Sequence, residues 1–130
     1  GYVPTWEQFI AAGKLLVRSK VCPTFFNEPG YIQRLFGRNV YQIIGDAADE
    51  LERTSLSDFV VYWAPENSRG QIRGGTRIAV YLARYLGLPT YNLGIETERD
   101  TLLEILSLQR FYKGILDEEW GHRVDTPAFV

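Results

Sequence analysis

Asp58-Phe59-Val60-Val61-Tyr62-Trp63-Ala64-Pro65, then Arg73-Gly74-Gly75-Thr76, then Ala79-Val80-Tyr81-Leu82-Ala83, Gly87-Leu88-Pro89 and Tyr91-Asn92-Leu93, is the stretch that decides the fold. Phe59 to Trp63 is an apolar, β-branched and aromatic run without alternation. Such a run reads as a strand buried on both faces, as in a parallel sheet. Residues 64–75 are polar and contain glycine. From Arg77 to Gly87 the period changes: Ile78, Leu82 and Leu86 form one helical row, and Ala79 and Ala83 a second. The two alanines permit close approach to a sheet. Gly87 is the expected stop, and Pro89 to Leu93 reads as a second strand. Strand, glycine loop, helix and strand make a βαβ core over about 57–94, with the two strands parallel and adjacent.

Upstream, the chain reads as helical over 5–45. Thr5 with Gln8 forms a capping-box pattern, and a helix is expected from about Trp6 to Val17. Pro23 and Asn27-Glu28-Pro29-Gly30 break the chain. Val21 to Phe26 is expected to be extended. A second helix is expected from about Gly30 to Ile44, because Ile32, Leu35, Phe36, Val40, Ile43 and Ile44 form one stripe. Arg38 and Asn39 lie off it. Gly45 closes this helix in the left-handed region. Asp46 to Glu52 reads as a short acidic helix and Ser55-Leu56-Ser57 as a turn. Downstream, a helix is expected over about 98–116, with Thr97 as N-cap and Asp100 three residues on. Asp117 to Val130 reads as an arm that packs on a neighbour.

Composition sets the outer limits. The chain has 130 residues, 45% hydrophobic and 23% charged, which fits one α/β domain over 1–130 with a short, mostly parallel sheet flanked by helices. No apolar run approaches the roughly 18 residues of a membrane span, so no membrane partner is expected. The N-terminus lacks a basic segment followed by an apolar one, so a cytoplasmic location without a signal peptide is expected. With no Met in the sequence, a processed form or a fragment is expected. The single cysteine, Cys22, excludes an internal disulfide, and the single histidine, His122, reads as a surface residue. No metal site is expected. Two strands rarely make an independent sheet. A third is expected from Val17 to Phe26 or from another subunit. Trp6, Phe9, Phe25, Phe26 and Phe36 crowd the first third of the chain. That crowding fits helices filling space or an interface, so a homo-oligomer or a partner subunit is expected.

Charge is unevenly placed. Residues 1–64 carry −1, residues 65–94 carry +3, and residues 95–130 carry −4. A whole-chain pI near 5.4 argues against a nucleic-acid partner. The basic middle still suits a small anion. In an open α/β sheet, ligands bind beyond the carboxyl ends of the strands. Arg73, Gly74, Gly75 and Thr76 lie there, where a helix begins and its free N–H groups attract anions. Arg69, Arg73 and Arg77 add guanidinium forks that suit a phosphate. The alternative is a glycine turn capped by Thr76, with solvated arginines. Asn92 either bonds a ligand or satisfies a strand end. Trp63 reads as core or rim packing, with a base-stacking platform as the other reading.

These motifs, in this order, resemble the later half of SLOG-type Rossmann-like proteins of bacteriophages and bacteria. That superfamily includes the DNA-processing protein A group and the lysine-decarboxylase-like phosphoribohydrolases. The resemblance spans about residues 34–94, with Arg38 to Gly45 similar to the preceding helix. It implies a Rossmann-like fold, a bacteriophage or bacterial cytoplasmic setting, and a nucleotide or nucleotide-derived ligand. The ligand would sit at Gly74, Gly75 and Thr76, with Asn92 as a further contact; no particular cofactor is implied. Two departures bear on activity. Residues 1–33 contain no Ser-Gly-Gly loop for the other half of the site. Arg77 to Val80 contain no carboxylate where the phosphoribohydrolases carry an acid. Three functions are therefore carried forward: a nucleotide-binding module, a structural or interaction subunit that lost the ligand, and a nucleotide-processing hydrolase whose acid is supplied elsewhere, such as by Glu66.

Overall fold

The computed structural model describes residues 5–45, 57–69, 71–72, 75–119 and 127–130, without the side chains of Gln109 and 111–119. The first helix, α1, spans Trp6–Arg18 and begins as the sequence predicts. The Gln8 N–H donates to Thr5 Oγ1 at 3.2 Å, and the Thr5 N–H donates to Gln8 Oε1 at 2.8 Å. The second, α2, spans Gly30–Ile44, and Gly45 follows it with φ 69°. Gly13 and Gly37 let rings sit against the helix backbones. A Cβ at either would lie 2.5 Å from Phe25 or Phe9, respectively.

Strand β1 (Phe59–Tyr62) is buried at every position. Helix α3 (Thr76–Tyr85) leads to strand β2 (Thr90–Asn92), which pairs parallel to β1 with Val61 opposite Tyr91. The α3 exit is a Schellman turn. Gly87, at φ 77°, donates to Arg84 O, and Leu88 donates to Ala83 O. The βαβ core is therefore as the sequence predicts.

Three expectations are corrected. Val21 to Phe26 is not extended. Phe25–Asn27 form a 3-10 turn because the Phe25 ring is drawn into the core against Gly13. The third strand, β3, is Pro127–Phe129. It pairs parallel to the other edge of β1, with Val60 opposite Ala128. That end of the chain is thus part of the sheet, not an arm reserved for a neighbour. Helix α4 spans Glu96–Glu119, starting before Thr97. The Ile95 N–H donates to Asn92 O and the Arg99 N–H to Ile95 O, so the helical pattern is already running at Thr97. The expected acidic helix at 46–52, Ser55, Leu56 and His122 lie outside the described residues. Ser57 caps the end of α2, donating through its N–H to Ile43 O and through Oγ to Gln42 O.

The sheet order is β2-β1-β3, and the two faces are covered differently. Val60 and Ala128 face a core built from α1, α2 and α3, including Leu16, Val40, Ile43, Ile78 and Leu82. Tyr62 lies on the same side against Val80 and Ile72. Phe59 and Val61 face the other way, against Leu102 of α4 and Tyr91. This is an α/β structure with a short parallel sheet flanked by helices.

Candidate functional site

The chain winds in two directions from β1. It passes through α3 on one side of the sheet to β2, then through α4 on the other side, and reaches β3 on the far edge of β1. Strand order therefore reverses at β1. In open parallel sheets, the crevice beyond the carboxyl ends at such a reversal is where ligands bind. Here it lies between the ends of β1 and β3. Val130, just past β3, is held there by its N–H donating to Val61 O at 3.0 Å.

An open cleft of about 270 Å³ occupies this place. Leu35, Asn39 and Gln42 of α2 form one wall, Gly75 and Thr76 another, and Val130 closes the side. Leu35, Asn39 and Gln42 share a helix face, being four and three residues apart. The Asn39 amide donates through Nδ2 to Gly75 O at 3.1 Å, which ties α2 to the turn before α3. Gly75 is the N-cap residue, with φ −66° and ψ −30°, and no side chain caps the helix. Thr76 is the first helical residue, not the cap that the sequence suggested. Gly75 is in ordinary right-handed backbone, and a Cβ there would meet only Leu35 Cδ2 at 3.7 Å. Glycine at this position leaves room in the cleft and relieves no strain.

The sequence-predicted site residues divide. Gly75 and Thr76 line the cleft, and Arg77 is exposed one residue further into α3. Arg73 and Gly74 lie outside the described residues. Asn92 does not line the cleft. It is buried between the ends of β1 and β2, where its Oδ1 accepts from the Ala64 N–H at 3.3 Å and the Gly94 N–H at 3.0 Å. Its Nδ2 donates to Ala64 O at 2.8 Å. Both polar atoms are thus on backbone, and the side chain satisfies a strand end. Trp63 is not core; it lies 67% exposed beside Gly94. Asn39 and Gln42 went unnoticed as site residues in the sequence. Their signal was two amides among several polar residues of an amphipathic helix, meaningful only once α3 is placed against it.

The loop between β1 and α3 is ordered by Asn67. Its Oδ1 accepts from the N–H groups of Arg69 and Gln71, both at 2.9 Å. Glu66 is exposed on this loop and bridges to Ile72. One arginine of the basic stretch is already used. Arg84 donates to Tyr62 Oη at 3.2 Å and Thr90 Oγ1 at 3.3 Å, and lies 5.8 Å from the centre of the Tyr81 ring. Burial pushes the Tyr62 hydroxyl above its ordinary range. The Arg84 charge and hydrogen bond work against that rise, while Glu98 and Glu66 add to it.

Among the described residues, no helix is long and apolar enough to cross a membrane. Comparison with known proteins finds no matching family model, no matching curated protein and no matching solved structure.

Proposed function

We propose that this chain is a binding module for a nucleotide or nucleotide-derived anion, held in the cleft between α2 and the start of α3. The observation that carries this reading is the position of the cleft. It lies at the reversal of strand order and combines the amino end of a helix with two amide side chains. A phosphate rests on the N–H groups at Gly75 and Thr76, with Arg77 nearby on the first turn of α3. Asn39 and Gln42 offer donors and acceptors to a base or sugar. The hydrolase reading needs an acid from elsewhere, such as Glu66, which is exposed on the β1–α3 loop. The resemblance to SLOG-type proteins supports the same class of ligand and a cytoplasmic setting, in a host cell if the chain is phage-encoded. Self-association or a partner subunit belongs to this reading as well.

A thermal-shift series with inorganic phosphate and a panel of nucleoside monophosphates tests it. A ligand that binds only the folded chain must raise the melting temperature. We expect a nucleoside monophosphate to raise it more than phosphate does, and Gly75→Val to abolish the rise while the unliganded protein stays folded. No shift with any compound leaves the structural-subunit reading. An undiminished shift in Gly75→Val places the site elsewhere.

A further inference from the structure

Helix α4 is the feature that neither the sheet nor the cleft accounts for. It has 24 residues, a length of about 36 Å, yet on the described residues only Leu102 is buried along it. Beside Leu102, Leu103 is 56% exposed and Leu106 is 41% exposed. A parallel sheet normally has helices over both faces. Among the described residues, three helices cover one face and α4 alone covers the other.

The row through these leucines has a definite spacing. Glu96, Arg99, Leu103, Leu106 and Arg110 follow one another at intervals of three and four, the repeat of a helix-pairing seam. Charge runs along the helix in blocks. Residues 96–104 hold four acids and one base, residues 105–116 hold Arg110 and Lys113 with no acid, and residues 117–119 are all acidic. A second helix of the same sequence, laid antiparallel, can set the acidic start of each against Arg110 of the other. Leu103 stands midway between Glu96 and Arg110, seven residues or about 10.5 Å from each. Pairing centred on Leu103 therefore brings Glu96 of each copy level with Arg110 of the other. Sliding the helices to set Leu103 against Leu106 would instead bring Arg99 level with Arg110, alongside Glu96 level with Lys113. The first register has no like charges at matching levels and the second sets two arginine pairs level, so charge favours the first.

We propose that α4 is the self-association surface of this protein, pairing antiparallel with α4 of a second copy about a two-fold axis at Leu103. It makes specific the self-association named in the functional reading and is independent of the ligand site. Such a contact is isologous: the same patch serves both subunits.

Sedimentation equilibrium of the full chain tests it. Wild type should show a concentration-dependent dimer. Leu103→Glu should be monomeric with unchanged helical circular dichroism, since Leu103 is already solvent-facing. Glu96→Arg and Arg110→Glu should each weaken the dimer at least tenfold, and the two together should restore it at low salt. Rescue by the double swap is the signature that mere loss of folding cannot produce. A wild-type monomer at every concentration overturns the proposal together with self-association. A dimer unaffected by Leu103→Glu overturns the α4 surface and leaves self-association standing. Single swaps that weaken the dimer without rescue overturn the register.

Discussion

At the residue scale, the proposed anion site rests on the backbone at the start of α3 and on nearby arginine charge. Arg77 is exposed on the first turn of α3, beside the cleft but not committed to a structural contact as Arg84 is. Charge-assisted hydrogen bonds contribute about 1.5–3 kcal/mol. Calorimetry on Arg77→Ala should therefore show at least a tenfold weaker nucleoside monophosphate if this side chain makes the contact, and Arg73→Ala should do so if that one does. Affinity should also fall as salt is added, because exposed charge contacts are screened over about 8–10 Å near physiological ionic strength. An arginine pair that can be removed with no loss would show that the N–H groups alone hold the anion. Gly75 and Thr76 at the start of α3 were legible in the sequence because they belong to one contiguous loop-to-helix segment. Asn39 and Gln42 were not, since they sit more than thirty residues upstream and acquire meaning only through the packing of α2 on α3.

Tyr62 gives a second residue-scale test. Its hydroxyl is held above the ordinary value of 10.0, first by burial, with Arg84 opposing. As pH rises past 10.0, a tyrosine in the unfolded chain gives up its proton while Tyr62 in the folded chain keeps it. The unfolded state then binds fewer protons, so stability falls with pH from that point until the folded value is passed. Denaturant melts of wild type and Tyr62→Phe across this alkaline range should show a shallower decline in the variant. Parallel declines would show that Tyr62 ionises as an exposed tyrosine does.

At the element scale, local sequence was most informative where the signal is completed within a few residues. The Thr5–Gln8 capping box is read from four positions and found as read. Thr5→Ala should lower stability by about 1 kcal/mol, measured by urea denaturation with an unchanged m-value. The Schellman turn at Gly87 and the buried run of β1 are equally local. The 3-10 turn at Phe25–Asn27 was not legible, because its cause is remote: Phe25 is packed against Gly13 of α1. That contact decides the sign of a substitution. Gly13→Ala gains about 1 kcal/mol of helix propensity. It also places a methyl 2.5 Å from a ring that is almost fully buried, and overpacking of this kind costs about 1–3 kcal/mol. A net loss is expected. Gly37→Ala should lose less, because the Phe9 ring it would meet is only half-buried and has room to move. The same denaturation series compares them, and a stabilised Gly13→Ala would show that Phe25 can yield.

At the scale of the whole molecule, the α/β class followed from one βαβ segment, but the completed sheet did not. Its third strand is three residues long, contains a proline and lies some 65 residues beyond the strand it joins. Neither periodicity nor turn chemistry can announce such a pairing, because its stability comes from the edge of β1 and not from its own residues. The strand matters twice: it makes the sheet three-stranded, and Val130 beyond it closes the cleft. Its register is tested by two neighbouring substitutions with opposite expectations. Ala128 is buried against the main core opposite Val60, whereas Phe129 is 71% exposed. Ala128→Asp would bury a charge without a partner, so it should cost several kcal/mol or shift its carboxyl strongly upward to stay neutral. Phe129→Ser replaces an exposed ring and should stay within about 0.5 kcal/mol of wild type. A one-residue slip would exchange the two faces and reverse both effects. Urea melts in which Phe129→Ser is the costly change would therefore overturn the register, and near-neutrality of both would remove β3 from the sheet.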